Sequence, residues 1–139
     1  MTRRVTCTVA LLISAASVFA QNETPDVTTQ KLADNVYMLQ GNGGNIGLLV
    51  GKDGPVMVDD QYAPMSDKIK AAVAKLTDQP VKFLINTHWH GDHTGGNENF
   101  GKAGAIIVAH DNVRKRMNTE QFMEAFGRTV EASPPIALP

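Results

Sequence analysis

One short segment, THWHGDHTGGN starting at Thr87, places three histidines and an aspartate within six residues. Imidazole is a common protein ligand for zinc, and carboxylate oxygens also bind it. Ligands so close in sequence reach a shared metal at almost no loop-closure cost. His88 and His90 point the same way on an extended backbone, and the following glycine lets Asp92 and His93 face a new direction. The segment therefore predicts two adjacent metal sites supplied by one loop.

The pattern of apolar residues before and after this segment predicts an α/β fold. Short apolar runs read as strands, and a stripe of apolar residues at helical spacing follows the third of them. A metal loop that leaves the carboxyl end of a strand is a common arrangement in such folds. The expected strands are 36–39, 46–50, 55–58, 81–85 and 103–109, with helices over 63–76, 95–100 and from 110 onward.

Four further segments have patterns that predict their local structure. Residues 21–30 are polar and predict a flexible lead-in, whereas the prolines in 133–139 predict an absence of regular structure. Phe122, Met123 and Phe126 suit one face of a last helix, or a lid over the site. The glycine-rich stretch 41–45 predicts a hairpin turn, with a position beside the substrate as the alternative.

The motif His-x-His-x-Asp-His followed by Thr-Gly-Gly-Asn resembles the signature of the metallo-β-lactamase superfamily of hydrolases. The resemblance covers about residues 27–117 and implies the N-terminal half of an αββα sandwich. It implies that His88 and His90 ligate one zinc ion, and that Asp92 and His93 ligate a second. Asp59, which follows a strand, would orient a zinc ligand, a task that carboxylates commonly perform. Thr87 would support the ligands in the same way.

The resemblance also implies ligands that this chain does not supply. In the superfamily, further histidines and a bridging acidic or cysteine residue complete both sites far downstream. Outside the motif this sequence has one histidine, His110, and it ends at Pro139. We interpret His110 as a structural residue that caps the next helix, with a role in the site as the alternative. A half-domain would also leave an apolar sheet face exposed, so the chain is either truncated or covered by a partner.

The first twenty residues have the features of a secretory signal peptide. Two arginines precede an apolar run from Val5 to about Ala16, and Val18 and Ala20 stand at the −3 and −1 positions before Gln21. The run is shorter than the roughly 20 apolar residues that a stable membrane anchor needs. An ordinary N-terminal helix is the alternative. We expect an exported protein, periplasmic or secreted, with residues 21–139 forming a partial domain.

Charge and cysteine content narrow the possible partners. Without Arg3 and Arg4, the 13 basic residues of the chain become 11 against 14 acidic ones, a net charge of −3. Such a balance argues against a nucleic-acid partner, which needs a clustered basic surface. The one cysteine, Cys7, lies within the predicted signal peptide, so the remaining chain has neither a disulfide nor a thiolate ligand.

Metal-assisted hydrolysis is the function that these features predict. One or two zinc ions would lower the pKa of water toward neutrality, and Asp92 would orient the attacking water or accept its proton. The expected substrate is a small ester, thioester or amide, with a β-lactam as one candidate. Two alternatives remain: a non-catalytic fragment that binds metal weakly, and a half-site that is completed by oligomerisation.

Overall fold

A computed structural model describes residues 24–139, so the predicted signal peptide lies outside the described range. The main feature is a six-stranded sheet in which each strand pairs with the next one in sequence. The first three pairings are antiparallel and the last two are parallel. The strands are β1 (Thr28–Ala33), β2 (Val36–Gln40), β3 (Ile46–Gly51), β4 (Gly54–Val58), β5 (Phe83–Ile85) and β6 (Ile106–Val108).

Helices connect the parallel strands, and a small hairpin follows the sheet. Together with the mixed sheet they confirm the predicted α/β fold class. The helices are α1 (Ser66–Ala74), α2 (Gly91–Thr94), α3 (Asn97–Lys102) and α4 (Asp111–Met117), and the hairpin strands are β7 (Gln121–Met123) and β8 (Arg128–Val130). Single 3-10 turns occupy Ala63–Met65, Glu124–Phe126 and Pro135–Ala137.

The hydrophobic core lies between one face of the sheet and helices α1 and α3. Leu48, Met57 and Leu84 are register partners on neighbouring strands, and each is at most 1% exposed. Ile69 of α1 and Phe100 of α3 pack against them in the same cluster. Burial of each such side chain contributes roughly 1.5–3 kcal/mol. The predicted helical stripe and the inward position of Phe100 are therefore confirmed.

The other face of the sheet is equally apolar but remains accessible. A single cross-strand row on this face runs through β2 to β6, and Leu49 and Ile106 within it are 41% and 55% exposed. Strands that are apolar on both faces are typical of sheets with a layer packed on each side. The row consists of Val36, Leu49, Val56, Phe83 and Ile106.

Two predictions about the ends of the domain are wrong. Residues 28–30 belong to β1, although 21–30 were expected to be a flexible lead-in. Main-chain hydrogen bonds to β2 hold this edge strand, so its side chains need no apolar alternation. The 3-10 turn Pro135–Ala137 shows that 133–139 does contain regular structure. It packs on α3 through a hydrogen bond from Asn97 Nδ2 to the Ala137 carbonyl at 2.9 Å.

The predicted last helix around Phe122 is also wrong. This segment forms the β7–β8 hairpin, which turns at Gly127 with a φ of 58°. Phe122 and Phe126 are each 65% exposed, so they do not form a buried helical face. Other elements are shorter than expected, since α1 ends at Ala74 and β5 begins at Phe83. Within residues 24–139, no helix is long and apolar enough to cross a membrane.

Candidate metal centre

The histidine segment leaves the carboxyl end of β5, as the sequence predicts. Val58, Ile85 and Val108, the last residues of the three parallel strands, are register partners. The residues that follow them therefore meet at one edge of the sheet. The Asp59 N–H donates to the Ile85 carbonyl at 2.8 Å, and the Asn86 N–H donates to the Val108 carbonyl at 2.9 Å. These bonds fix both chain segments at the point where they enter the site.

Three of the four predicted ligands come together. Potential ligand atoms of His88, Asp92 and His93 all lie within 4.8 Å of one another. His93 Nε2 and Asp92 Oδ2 are 3.4 Å apart, the spacing of two ligands on one ion. Because zinc takes such ligands at roughly 2.0–2.2 Å, side-chain movements of about an ångström bring all three onto one metal. The donor set fits zinc.

The fourth predicted ligand, His90, lies beside this group. Its ring centroid is 4.8 Å from that of His88 in an edge-on arrangement. The three-residue group joins His88 to Asp92 and His93, whereas the resemblance pairs His88 with His90. His90 therefore stays a predicted ligand. Its ring contacts that of His88, which belongs to the three-residue group.

Both carboxylate oxygens of Asp59 contact the metal loop, which we define as residues 87–93. The Thr87 N–H donates to Oδ1 at 2.8 Å, and the Thr87 hydroxyl donates to Oδ2 at 2.7 Å. His93 Nδ1 lies 2.7 Å from the same Oδ2. The Asp59 side chain is almost fully buried, so these contacts occur at low solvent exposure, where hydrogen bonds to a charged group are strong.

These hydrogen bonds define the tautomers of two predicted ligands. A carboxylate can only accept, so His93 Nδ1 donates to Asp59, and in the neutral imidazole the lone pair is then on Nε2. The single hydroxyl proton of Thr87 goes to Asp59, so its oxygen accepts from His88 Nδ1, which lies 3.0 Å away. His88 Nε2 is then free as well. One carboxylate and one hydroxyl thus prepare two imidazoles to bind metal through Nε2.

The electrostatic surroundings keep His88 in the form that binds metal. Burial, followed by the neighbouring His93 and His90, lowers the pKa of His88 below its ordinary value of 6.5. Asp59 and Asp92 oppose this change by smaller amounts. A neutral imidazole is the form that offers a lone pair.

The backbone that follows β4 has an unusual conformation, and this conformation positions Asp59, Asp60 and Gln61. Asp59 and Gln61 adopt φ values of 62° and 60°, a left-handed region that side chains other than glycine rarely occupy. Between them, Asp60 accepts from the Gly96 N–H at 2.9 Å and donates its own N–H to the His93 carbonyl at 3.0 Å. Strain of this kind is commonly retained at functional sites.

Asp60 is a fully buried carboxyl group whose second oxygen has no hydrogen-bond partner among the described residues. Burial raises its pKa to about 8, with a further increase from the charge of Asp59, although the Gly96 N–H lowers it. Asp60 is therefore largely protonated at neutral pH. It ties α3 to the metal loop without adding a charge beside the ligands.

The glycine-rich loop between β2 and β3 packs on the metal loop. The Gly44 N–H donates to the Asp92 carbonyl at 3.0 Å, and Gln61 Nε2 donates to the Gly44 carbonyl at 2.7 Å. A Cβ atom on Gly44 would lie 2.2 Å from Cε1 of His93, so only glycine fits there. The hairpin turn is confirmed. Sequence reasoning missed Gln61, because nothing in its local pattern indicates this contact.

Comparison with known proteins agrees with this geometry. The Metallo-beta-lactamase superfamily profile matches residues 39–136. A metallo-beta-lactamase type 2 from Elizabethkingia meningoseptica is 30% identical over 135 residues, which cover 84% of this chain and 54% of that protein. A hydroxyacylglutathione hydrolase from Nitrosococcus oceani is 33% identical over 76 residues, 54% of this chain and 29% of the relative.

Solved structures show the same likeness. The crystal structure of BJP-1, a subclass B3 metallo-beta-lactamase of Bradyrhizobium japonicum, matches with a TM-score of 0.61 and 28% identity. The match covers 68% of this chain and 37% of that one. The mixed six-stranded sheet and its connecting helices match the fold of this metallo-beta-lactamase. The chain belongs to the metallo-β-lactamase superfamily, as the sequence motif predicts, and it spans about half or less of these relatives.

Proposed function

We propose that the chain is the zinc-binding N-terminal part of an exported metallo-hydrolase. His88, His90, Asp92 and His93 would hold one or two zinc ions. The main support is the hydrogen-bond chain from Asp59 through Thr87 to His88, together with the bond from Asp59 to His93. It leaves Nε2 of His88 and Nε2 of His93 free near the Asp92 carboxylate. Carboxylates commonly orient histidine ligands of metals in this way.

Zinc, when bound, supplies a Lewis acid that acidifies water and polarises a carbonyl group. The chain's own residues would position the reactants around it. The Asp92 side chain is 37% exposed, so water reaches its carboxylate, which can accept a proton and orient the water. Asp59 and Thr87 keep the ligand imidazoles in one orientation, and Asp59 balances the positive charge that accumulates there.

The substrate class follows from the relatives and from the predicted export. One relative is named a metallo-beta-lactamase and another a hydroxyacylglutathione hydrolase. We therefore propose a small ester, thioester or amide as substrate, with a β-lactam as the first candidate to test. A periplasmic or secreted location would give the enzyme access to such molecules. A nucleic-acid substrate is disfavoured by the net negative charge.

A half-site completed by a second chain is the competing proposal. The three clustered ligands leave room for others on zinc, which is usually bound by four groups. The accessible apolar row on the sheet offers a surface that another layer would cover. A weak metal-binding fragment without catalysis is a separate alternative.

Zinc content is the decisive first measurement. We would determine zinc per chain by elemental analysis after gel filtration, for the wild type and for His93→Ala. His110→Ala is the matched control, because it removes a histidine outside the cluster. Retained zinc in the wild type and control, but not in His93→Ala, supports the proposed site. A wild type that retains no zinc contradicts it.

Hydrolysis of β-lactams and thioesters by the zinc-loaded chain then separates the three possibilities. Turnover that disappears in Asp92→Asn supports the metallo-hydrolase. Zinc binding without turnover by a monomer supports the metal-binding fragment. Zinc that is retained only in a dimer fraction supports the half-site completed by oligomerisation.

A further inference from the structure

We infer that Arg116 of α4 is a positioning residue for the metal loop and acts through Trp89. The guanidinium carbon of Arg116 lies 5.5 Å from the centre of the Trp89 ring, within the range of a cation–π contact. Trp89 stands between His88 and His90 in the sequence and is the only tryptophan of the chain. This inference rests on the proposed zinc site and adds a residue from outside the motif.

A continuous series of ring contacts links Trp89 to the ligands. Trp89 meets His90 edge-on with centroids 4.9 Å apart, and His90 meets His88 edge-on at 4.8 Å. The His88 ring in turn lies 4.1 Å from the ring of His93. Displacement of Trp89 would therefore be passed to His90 first and to the clustered ligands next.

Asp59 holds the two ends of the metal loop, Thr87 and His93, but not its middle. Asp59 fixes Thr87 and His93 through direct hydrogen bonds from β4. No equivalent contact from β4 reaches Trp89 or His90 among the described side-chain hydrogen bonds; the Thr94 hydroxyl contacts only their carbonyl oxygens. Arg116 supplies the missing contact from the other side, because α4 and the metal loop line a common cavity of about 200 Å³.

The position of Arg116 on α4 separates it from its basic neighbours. Arg114 donates to the Pro139 carbonyl, so its guanidinium is directed to the end of the chain. Lys115 is exposed, and within residues 24–139 its side chain makes no hydrogen bond or ion pair. A run of three basic residues such as Arg114–Arg116 is typical of a solvated helix face. Arg116 is exposed too, but its guanidinium covers an aromatic ring.

Two variants of equal charge test this role. Arg116→Met removes the cation and keeps a long apolar side chain, whereas Lys115→Met makes the same charge change at the next position. If Arg116 acted only as a positive charge near the metal, its removal would tighten zinc binding. The positioning role predicts the opposite, a dissociation constant for zinc that rises about two- to fivefold, the factor expected from an exposed cation–π contact. Arg116→Lys should recover part of the loss.

A readout without metal keeps this inference separate from the zinc proposal. The chain has four histidines, so their ring resonances can be followed individually by NMR in the presence of a chelator. Arg116→Met should shift the His90 resonances and raise the quenching of Trp89 fluorescence by acrylamide. His110 begins α4, so its resonances should stay in place if the helix is intact.

The outcomes separate the two proposals. A wild type that binds no zinc contradicts the proposed function, while the NMR and fluorescence measurements still decide whether Arg116 positions the loop. Zinc affinity and His90 resonances that are the same in Arg116→Met and Lys115→Met overturn the inference. A shift of His110 with none at His90 overturns it too, since Arg116 would then only stabilise α4.

Discussion

Two histidines in this chain have nearly the same backbone setting but different surroundings. His90 precedes α2 with φ and ψ of −68° and 146°, and His110 precedes α4 with −64° and 142°. Each follows one of two neighbouring parallel strands, and each is followed within two residues by an aspartate. The His110 side chain accepts from the Asn112 N–H at 3.1 Å, whereas His90 caps nothing.

The comparison shows that residue type and location at the edge of the sheet do not define the metal site. Nδ1 of His110 is used by the helix that it caps, which confirms the predicted structural role. The segment around His90 differs because residues from other elements organise it. Asp59 orients the loop from β4, and Gly44 closes it from the β2–β3 turn.

Of the substitutions that test this comparison, Asp59→Asn should have the largest effect on zinc affinity. Asparagine tolerates the left-handed backbone at this position, so the fold should persist. Its amide group cannot accept from all three partners, and loss of such a support typically lowers metal affinity roughly 10–100-fold. Chelator competition would measure the change, with Asp111→Asn after His110 as the matched control. Equal zinc affinities in both variants would contradict the role of Asp59.

Gly44→Ala should have the next largest effect. The new methyl group would meet the His93 ring, which cannot move freely because Asp59 holds Nδ1. We expect the unfolding free energy to fall by about 1–3 kcal/mol, as for other overpacked sites, with weaker zinc binding. Gly47→Ala is the control, since a Cβ there meets Val58 at an ordinary 3.5 Å. Denaturant titration with and without zinc makes the measurement, and unchanged zinc affinity in Gly44→Ala would refute the proposed contact.

Asp60 makes the stability of the segment around the metal loop depend on pH. Burial raises the pKa of Asp60 to about 8 from 3.8, so between these values the folded chain binds more protons at this group than the unfolded chain does. Its contribution to the stability of the metal-free chain should therefore fall as pH rises from about 4 to 8, by at most about 1.4 kcal/mol per pH unit. Asp60→Asn should remove this slope. The measurement is the free energy of unfolding against pH, in chelator, for the wild type and Asp60→Asn. Equal slopes would contradict the prediction, because Asp60 would then be ionised in the folded chain.

His110→Ala should have the smallest effect and one confined to stability. Loss of the cap should lower the unfolding free energy by about 1 kcal/mol, within the range of helix N-caps. Zinc affinity should remain that of the wild type, because the cluster lies within the other loop. Thermal unfolding and chelator competition on the same sample would measure both quantities. A tenfold loss of zinc affinity would place His110 in the site after all.

The sequence predicted the elements whose side chains carry a pattern. The stripe through Ile69 and Val73 located α1, and the motif located the metal loop. It did not predict residues 28–30 as the beginning of β1, because main-chain bonds hold that edge strand and leave no pattern in its side chains. The i, i+4 spacing of Phe122 and Phe126 is typical of a helix, but both rings are exposed on a hairpin.

The same limit applies within the site. The motif predicted the candidate ligands, and the resemblance predicted the supporting positions of Asp59 and Thr87. Gln61 and Gly44 support the ligands through a contact between segments 17 residues apart, and no local pattern encodes that distance. The grouping of His88 with Asp92 and His93 likewise depends on side-chain orientation after folding.

The order of the strands has a consequence for how the protein forms. Each strand pairs with the one synthesised just before it, so the sheet can grow at a single edge as the chain leaves the ribosome. Such local pairing favours fast folding. Asn86, at the entry to the metal loop, donates to the Val108 carbonyl, so this hydrogen bond forms only after the last strand of the sheet is present. A ribosome stalled before β6 would hold a nascent chain with its histidines made but not yet arranged.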